Sequence, residues 1–156
     1  MTEGWDFRLK SHRDAALKYQ DERQPCLLIG SPPCTAFSQL QTLNPTTENS
    51  QRKWGEGVEH VRFVITLYRR QMQAGRVFLH EHPASAMSWK EEEIDALSRL
   101  PYVHVATADQ CMYGLRTRGN NKTQTMAARK PTKCMTNSRA LGRELSRKCD
   151  STHQHQ

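Results

Sequence analysis

The chemistry available to this chain is concentrated in a few side chains, and Cys34 has the most shaped surroundings of them. It stands in Gly30-Ser31-Pro32-Pro33-Cys34-Thr35-Ala36-Phe37-Ser38. Two prolines fix the backbone just before it and aim the side chain. A free thiol has a pKa of about 8.5 and attacks only as the thiolate. A nucleophile is therefore the sharp reading of Cys34, and an inert buried cysteine the bland one. The bland reading suits Cys26, inside an apolar run, far better. Glu81, in His80-Glu81-His82-Pro83, is the acid at the end of the strand that follows. Its bland reading is a structural acid paired with His80, His82 or an arginine. Strand alternation places both histidines on the face opposite Glu81, where they are expected to orient the strand end. Cys149-x3-His153-x-His155 brings metal-ligand types together, with Cys134 or Cys111 available as a fourth ligand. At a chain end such a run is more often an unstructured tail, so no metal is assigned. Glu91–Glu93 reads as a solvated helix start. The five cysteines are odd in number and widely spaced, without a CxxC pair, which points to reduced thiols.

The elements that must position these groups follow from the hydropathy pattern. Arg13 to Glu22 predicts a surface helix, and Cys26-Leu-Leu-Ile-Gly30 a buried parallel strand that delivers the Pro-Pro-Cys turn. Residues 39–53 are polar and aperiodic and read as a long loop. Val58, Val61, Val64, Ile65, Tyr68 and Met72 keep helical spacing and predict a helix from Trp54 to Ala74, capped by Gly75. Arg76 to His80 reads as the next strand, and Trp89 to Leu100 as a short helix with acids in its first turn. Tyr102 to Thr107 alternates as a third strand, Lys122 to Ala128 is a candidate fourth, and Arg139 to Lys148 reads as a helix. Helices alternating with strands imply an α/β fold with a parallel sheet. In such sheets the site lies at the carboxyl ends of the strands, so Cys34 and Glu81 are expected to be neighbours.

With these residues in place, the chain resembles the catalytic core of C5-cytosine DNA methyltransferases. Pro32-Pro33-Cys34 and Phe37-Ser38 match that family's Gly-Pro-Pro-Cys-Gln-x-Phe-Ser motif, with Ser31 and Thr35 as departures. Phe78-Leu79-His80-Glu81-His82-Pro83 is similar to its Glu-Asn-Val strand end, the acid retained. Asp109 to Arg118, with Tyr113-Gly114 and Arg116-x-Arg118, resembles its Tyr-Gly-Val-Pro-Gln-x-Arg-x-Arg stretch without the Pro-Gln pair. Trp5-Asp6-Phe7 resembles the Gly-Asp-Ile turn beside the cofactor adenine. Similar stretches, including Lys130-Pro-Thr132 and Thr136-Asn-Ser138, also occur in retroelement-type polyproteins.

The resemblance implies a partial class I methyltransferase (Rossmann-like) sheet with flanking helices and a basic C-terminal segment. It implies a catalytic core over residues 1–118 and a basic, partly disordered extension over 119–156. The implied activity is methyl transfer from S-adenosylmethionine to cytosine C5 in DNA. Cys34 would add to the base and Glu81 would protonate it, while Arg116 and Arg118 hold the base carbonyl and flanking phosphates. Asp6, Phe7 and Pro33 would contact the cofactor. The family's first strand and glycine motif have no counterpart here, so a missing N-terminal part of a larger polypeptide is an expected partner. The alternative is an inactive, methylase-derived nucleic-acid-binding module or a polyprotein fragment.

The totals are compatible with either. At 156 residues the chain is one domain's worth. A mean hydropathy of -0.82 requires a lean core. No apolar run approaches the ~20 residues of a membrane span. The acidic, aromatic start is unlike a signal peptide, so an intracellular setting, nucleus or cytoplasm, is expected. Residues 1–107 balance their charges, and the whole formal charge of +7 falls in residues 108–156. Such asymmetry points to a polyanion, here DNA, with a solvated basic tail as the alternative.

Overall fold

The computed structural model describes residues 5–38, 48–118 and 125–155. The order is α1 (Lys10–Arg23), β1 (Leu27–Gly30), α2 (Glu48–Gln73), β2 (Val77–Pro83), α3 (Glu92–Ser98), β3 (His104–Asp109), β4 (Arg116–Arg118), β5 (Thr125–Ala127), β6 (Pro131–Thr136) and α4 (Arg139–Glu144). Short 3-10 turns follow β1 at Thr35–Phe37, precede α3 at Met87–Lys90 and follow β3 at Gln110–Tyr113. The architecture is α/β, with an open four-stranded sheet in the order β1-β2-β6-β3. β1 runs parallel to β2, while β6 lies antiparallel between β2 and β3. The sheet is therefore mixed where a parallel one was expected. No helix among the described residues is long and apolar enough to cross a membrane.

One face of the sheet supplies the core. Phe78, His80 and His82 alternate inward along β2, and Phe78 stacks on Tyr68 of α2 at 4.7 Å between ring centroids. Val61, Val64, Ile65 and Tyr68 from α2, Ile94 and Leu97 from α3, and Met135 from β6 complete the cluster. The apolar stripe that predicted α2 is the one it buries, with Phe63 and Leu67 beside it. Gly75 ends the helix in the left-handed conformation at φ 67°, as expected. α1 docks on α2 through Gln20, whose amide donates to the Leu67 carbonyl at 2.9 Å and to Gln71 Oε1 at 3.0 Å.

Several expectations are corrected. α2 begins at Glu48, inside the stretch read as a loop; residues 39–47 of that stretch lie outside the described residues. β1 is an outer strand and is not buried: Ile29 is 63% exposed, because α2 covers only the Leu28 and Gly30 face. Cys26 is exposed as well, so it is not a core thiol. The strand read at Lys122 to Ala128 is β5 where it is described; residues 122–124 are not. β5 pairs with β4 in a separate hairpin and not in the main sheet. The sheet's fourth strand is β6, which the sequence reading missed. Because β6 pairs along its length with β2 and β3, and α4 packs on β3 and β6, the described residues after 118 are built into the fold and are not an appended tail.

Candidate active site at the carboxyl edge of the sheet

β1 and β2 run in register, Gly30 beside His80, so the turn leaving β1 emerges next to Glu81. Gly30 is required there: a Cβ at this position would fall 2.0 Å from the Tyr68 hydroxyl. The chain then passes through Ser31-Pro32-Pro33 to Cys34, whose carbonyl accepts the first 3-10 bond from the Phe37 amide at 3.0 Å. Phe37 is completely buried against Trp54 and the backbone of Gly57. A Cβ on Gly57 would lie 2.8 Å from Ala36 Cβ and 3.1 Å from Phe37 Cζ, so that glycine lets α2 approach the turn. Anchoring Phe37 leaves Cys34 exposed at the rim, as its sequence context implied.

Two hydrogen bonds lock this turn to the end of β2. The Ser31 hydroxyl donates to Glu81 Oε2 at 2.6 Å, and the His82 ring donates from Nε2 to the Pro32 carbonyl at 2.7 Å. His82 Nδ1 in turn meets the Ser88 hydroxyl at 2.6 Å. The carbonyl can only accept, so Nε2 carries a proton; burial keeps the ring neutral, and Ser88 then donates to Nδ1. Both histidines lie on the face opposite Glu81, fully buried, where they hold the strand end. Burial pushes the His80 pKa down to about 3 and lowers that of His82. On the other face, Glu81 Oε1 is buried without a hydrogen-bond partner. An acceptor held dry and unpaired is costly, about 1–3 kcal/mol, unless something else binds it. Cys134 is Glu81's register partner on β6; burial and the neighbouring carboxylate push its thiol up to about 11. Cys34 and Glu81 are thus carried by adjacent parallel strands on one edge, although no hydrogen bond joins them.

The sequence reading named neither Ser31 nor His82 as the residues that bind the Cys34 turn to Glu81. Ser31 is one step past Gly30 as Glu81 is one step past His80, a register that only the paired strands reveal.

The three residues expected to contact a cofactor gather around the Cys34 turn. Asp6 and Pro33 share a cavity of about 540 Å³ with Trp5, Lys53, Glu56 and His60. Phe7 and Pro33 share an adjoining groove of about 850 Å³ along the outer side of β1. The Asp6 carboxylate is already engaged, taking Arg8 Nε at 2.9 Å and Nη2 at 2.7 Å. Those bonds hold its pKa well below the usual carboxylate range. Phe7 packs its ring on Phe63 at 4.6 Å. Arg116 and Arg118 are exposed on β4, Arg116 donating to the Thr125 carbonyl at 3.2 Å. Among the described residues, no hydrogen bond or ion pair ties either arginine to Cys34 or Glu81.

Compared with known family models, with curated proteins and with solved structures, the chain matches none.

Proposed function

We propose that this chain carries the nucleophile and acid of a cytosine C5 methyl-transfer site, in a partial class I methyltransferase-like (Rossmann-like) sheet. The observation that carries the reading is the tie between the Cys34 turn and the end of β2, where Ser31 bonds Glu81 and the Pro32 carbonyl accepts from the neighbouring His82. The Cys34 thiolate adds to C6 of cytosine, and Glu81 delivers a proton to N3, which keeps negative charge from accumulating on the ring. C5 thereby becomes enamine-like and accepts an electrophile; loss of the C5 proton then expels the thiolate. To meet the base edge the Glu81 carboxyl turns from its present setting, in which Oε1 is buried and Oε2 accepts from Ser31. A base inside a duplex cannot reach these groups, so the target is a flipped or unpaired cytosine in DNA.

S-adenosylmethionine would supply the methyl group. The cavity that holds Asp6 and Pro33 has the size of a small-molecule site and suits its nucleoside end in position. Asp6 would bind there after exchanging one Arg8 contact, with Pro33 and the Trp5 ring as apolar walls. No glycine-rich turn among the described residues cradles the rest of the molecule.

The engagement of Asp6 by Arg8 favours a second reading, a nucleic-acid-binding module of methylase descent without turnover. DNA containing 5-fluorocytosine separates the two, because fluorine at C5 blocks the elimination and leaves the thioether in place. For protein shown by calorimetry to bind both DNA and S-adenosylmethionine, we expect a covalent adduct on denaturing gels. Cys34→Ser abolishes it and Glu81→Gln slows it. Folded protein that binds both ligands and yields no adduct contradicts the methyltransferase reading.

A further inference from the structure

The C-terminal residues expected as a loose tail are instead tied down at the end of β3. Asp109 closes that strand, and its amide donates to the Arg147 carbonyl at 3.0 Å. Its carboxylate, almost wholly buried, accepts the Cys149 amide at 2.9 Å through Oδ2. The Tyr113 hydroxyl donates to the Glu144 carbonyl at 2.6 Å and accepts the Arg147 amide at 3.1 Å. Farther on, His155 bridges to Ala127 at the edge of β5. Strand end, helix exit and hairpin edge therefore converge on one point.

At that point stand Cys111, from the 3-10 turn after β3, and Cys149, His153 and His155. Their four ligand atoms all lie within 4.8 Å of one another. Cys149 Sγ is 3.7 Å from His153 Nε2 and 3.4 Å from His155 Nε2. Around a tetrahedral zinc with bonds of about 2.3 Å to sulfur and 2.0–2.1 Å to nitrogen, a sulfur and a nitrogen stand about 3.6 Å apart. Both imidazoles present Nε2 to the same sulfur, an arrangement a shared ion satisfies. The surroundings fit as well. The Ser151 amide, at a residue with φ 61°, donates to Cys149 Sγ at 3.3 Å, the kind of backbone contact that stabilises a thiolate. An Asp150 oxygen stands 4.0 Å from His153 Nδ1, on the ring edge where metal-bound histidines carry an outer carboxylate. Cys134, the other candidate fourth ligand, is excluded by its place on β6 beside Glu81.

We propose that Cys111, Cys149, His153 and His155 form a structural zinc site. Two thiolates and two imidazoles in a tetrahedral set favour zinc over harder divalent ions. Four protein ligands leave no open position, so the ion acts as a staple and takes no part in chemistry. It joins the end of β3 to the chain end and, through His155, to the β4–β5 hairpin. The proposal is independent of the methyl-transfer reading. Cys111 and Cys149 also make a disulfide the competing outcome.

The test uses the full chain, purified under reductant from zinc-supplemented cells. Elemental analysis after gel filtration is expected to find stoichiometric zinc. Replacement by cobalt(II) should give the visible bands of a tetrahedral ion together with thiolate-to-cobalt charge transfer. That spectrum reads the ligand set on the unmodified protein, so it does not depend on whether variants fold. Cys149→Ser and His153→Ala should lower zinc to trace, while Cys26→Ser retains it. Chelation should lower the thermal midpoint, and added zinc should restore it. Folded protein without stoichiometric metal, a cobalt spectrum lacking charge transfer, or a Cys111–Cys149 disulfide in the metal-free native chain each overturns the proposal.

Discussion

His80 and His82 sit side by side under the sheet, ring centroids 5.0 Å apart and neither accessible to solvent. A protonated ring there would lose its hydration, and the two rings would repel each other. Both are therefore neutral in the fold, whereas in the unfolded chain they titrate near 6.5. A folded pKa below the unfolded one means the unfolded state binds protons first as the pH falls. The contribution is complete above pH 6.5 and is lost on acidification towards the folded pKa of about 3 for His80. Denaturation curves collected from pH 7 down to about pH 5.5, above the range in which most carboxylates protonate, should show falling stability. His80→Gln should flatten the decline. Stability constant over that window would contradict burial of the neutral rings. The inward direction of both histidines was legible from strand alternation alone. The bond from His82 to the Pro32 carbonyl was not, since it depends on where a distant turn lands.

Elements show the same division. α2 is legible because its apolar stripe is long and continuous, and one register of helix buries all of it. β6 is not, because Pro131-Thr-Lys-Cys-Met-Thr136 reads as polar although most of it is buried. Its hydroxyls are satisfied internally: Thr136 Oγ1 donates to the Phe78 carbonyl at 2.5 Å, and Thr132 Oγ1 accepts from Gln110 Nε2 at 2.8 Å. Hydropathy counts such residues as surface, whereas their hydrogen bonds make them interior. The next residue continues the ladder with its side chain. Asn137 accepts the Phe78 amide at Oδ1 and donates from Nδ2 to the Arg76 carbonyl, both at 2.9 Å. Ser138 then caps α4 by accepting the Leu141 amide at 3.4 Å. The Thr-Asn-Ser run thus joins β6 to β2 and starts the last helix. Asn137→Ala leaves two backbone groups unpaired and should cost about 1–3 kcal/mol in urea unfolding, with an unchanged m-value. A loss below about 0.5 kcal/mol, ordinary for a surface site, would contradict that role.

On the scale of the molecule, the three mutually parallel strands β1, β2 and β3 end on one edge. That edge holds the Cys34 turn, Glu81 and the Asp109–Cys111 turn, as expected of open α/β sheets. Part of the basic excess lies elsewhere: Arg139, Arg143 and Lys148 line a groove of about 880 Å³ against β3. The sequence therefore exposed which residues share an edge, through strand order and alternation. Charge counting named a polyanion partner without saying which surface would meet it. The account's central claim is that Cys34 and Glu81 act together on cytosine, and this can be tested without any methyl donor. Reversible addition of the thiolate at C6 lets C5 take a proton from solvent, so C5–H exchanges when the adduct collapses. DNA incubated with the chain in D2O should gain deuterium at cytosine C5 by mass spectrometry. Cys34→Ser should abolish the gain and Glu81→Gln should slow it, with DNA binding retained in both. No exchange by folded, DNA-bound protein, or exchange that persists in Cys34→Ser, would contradict the claim.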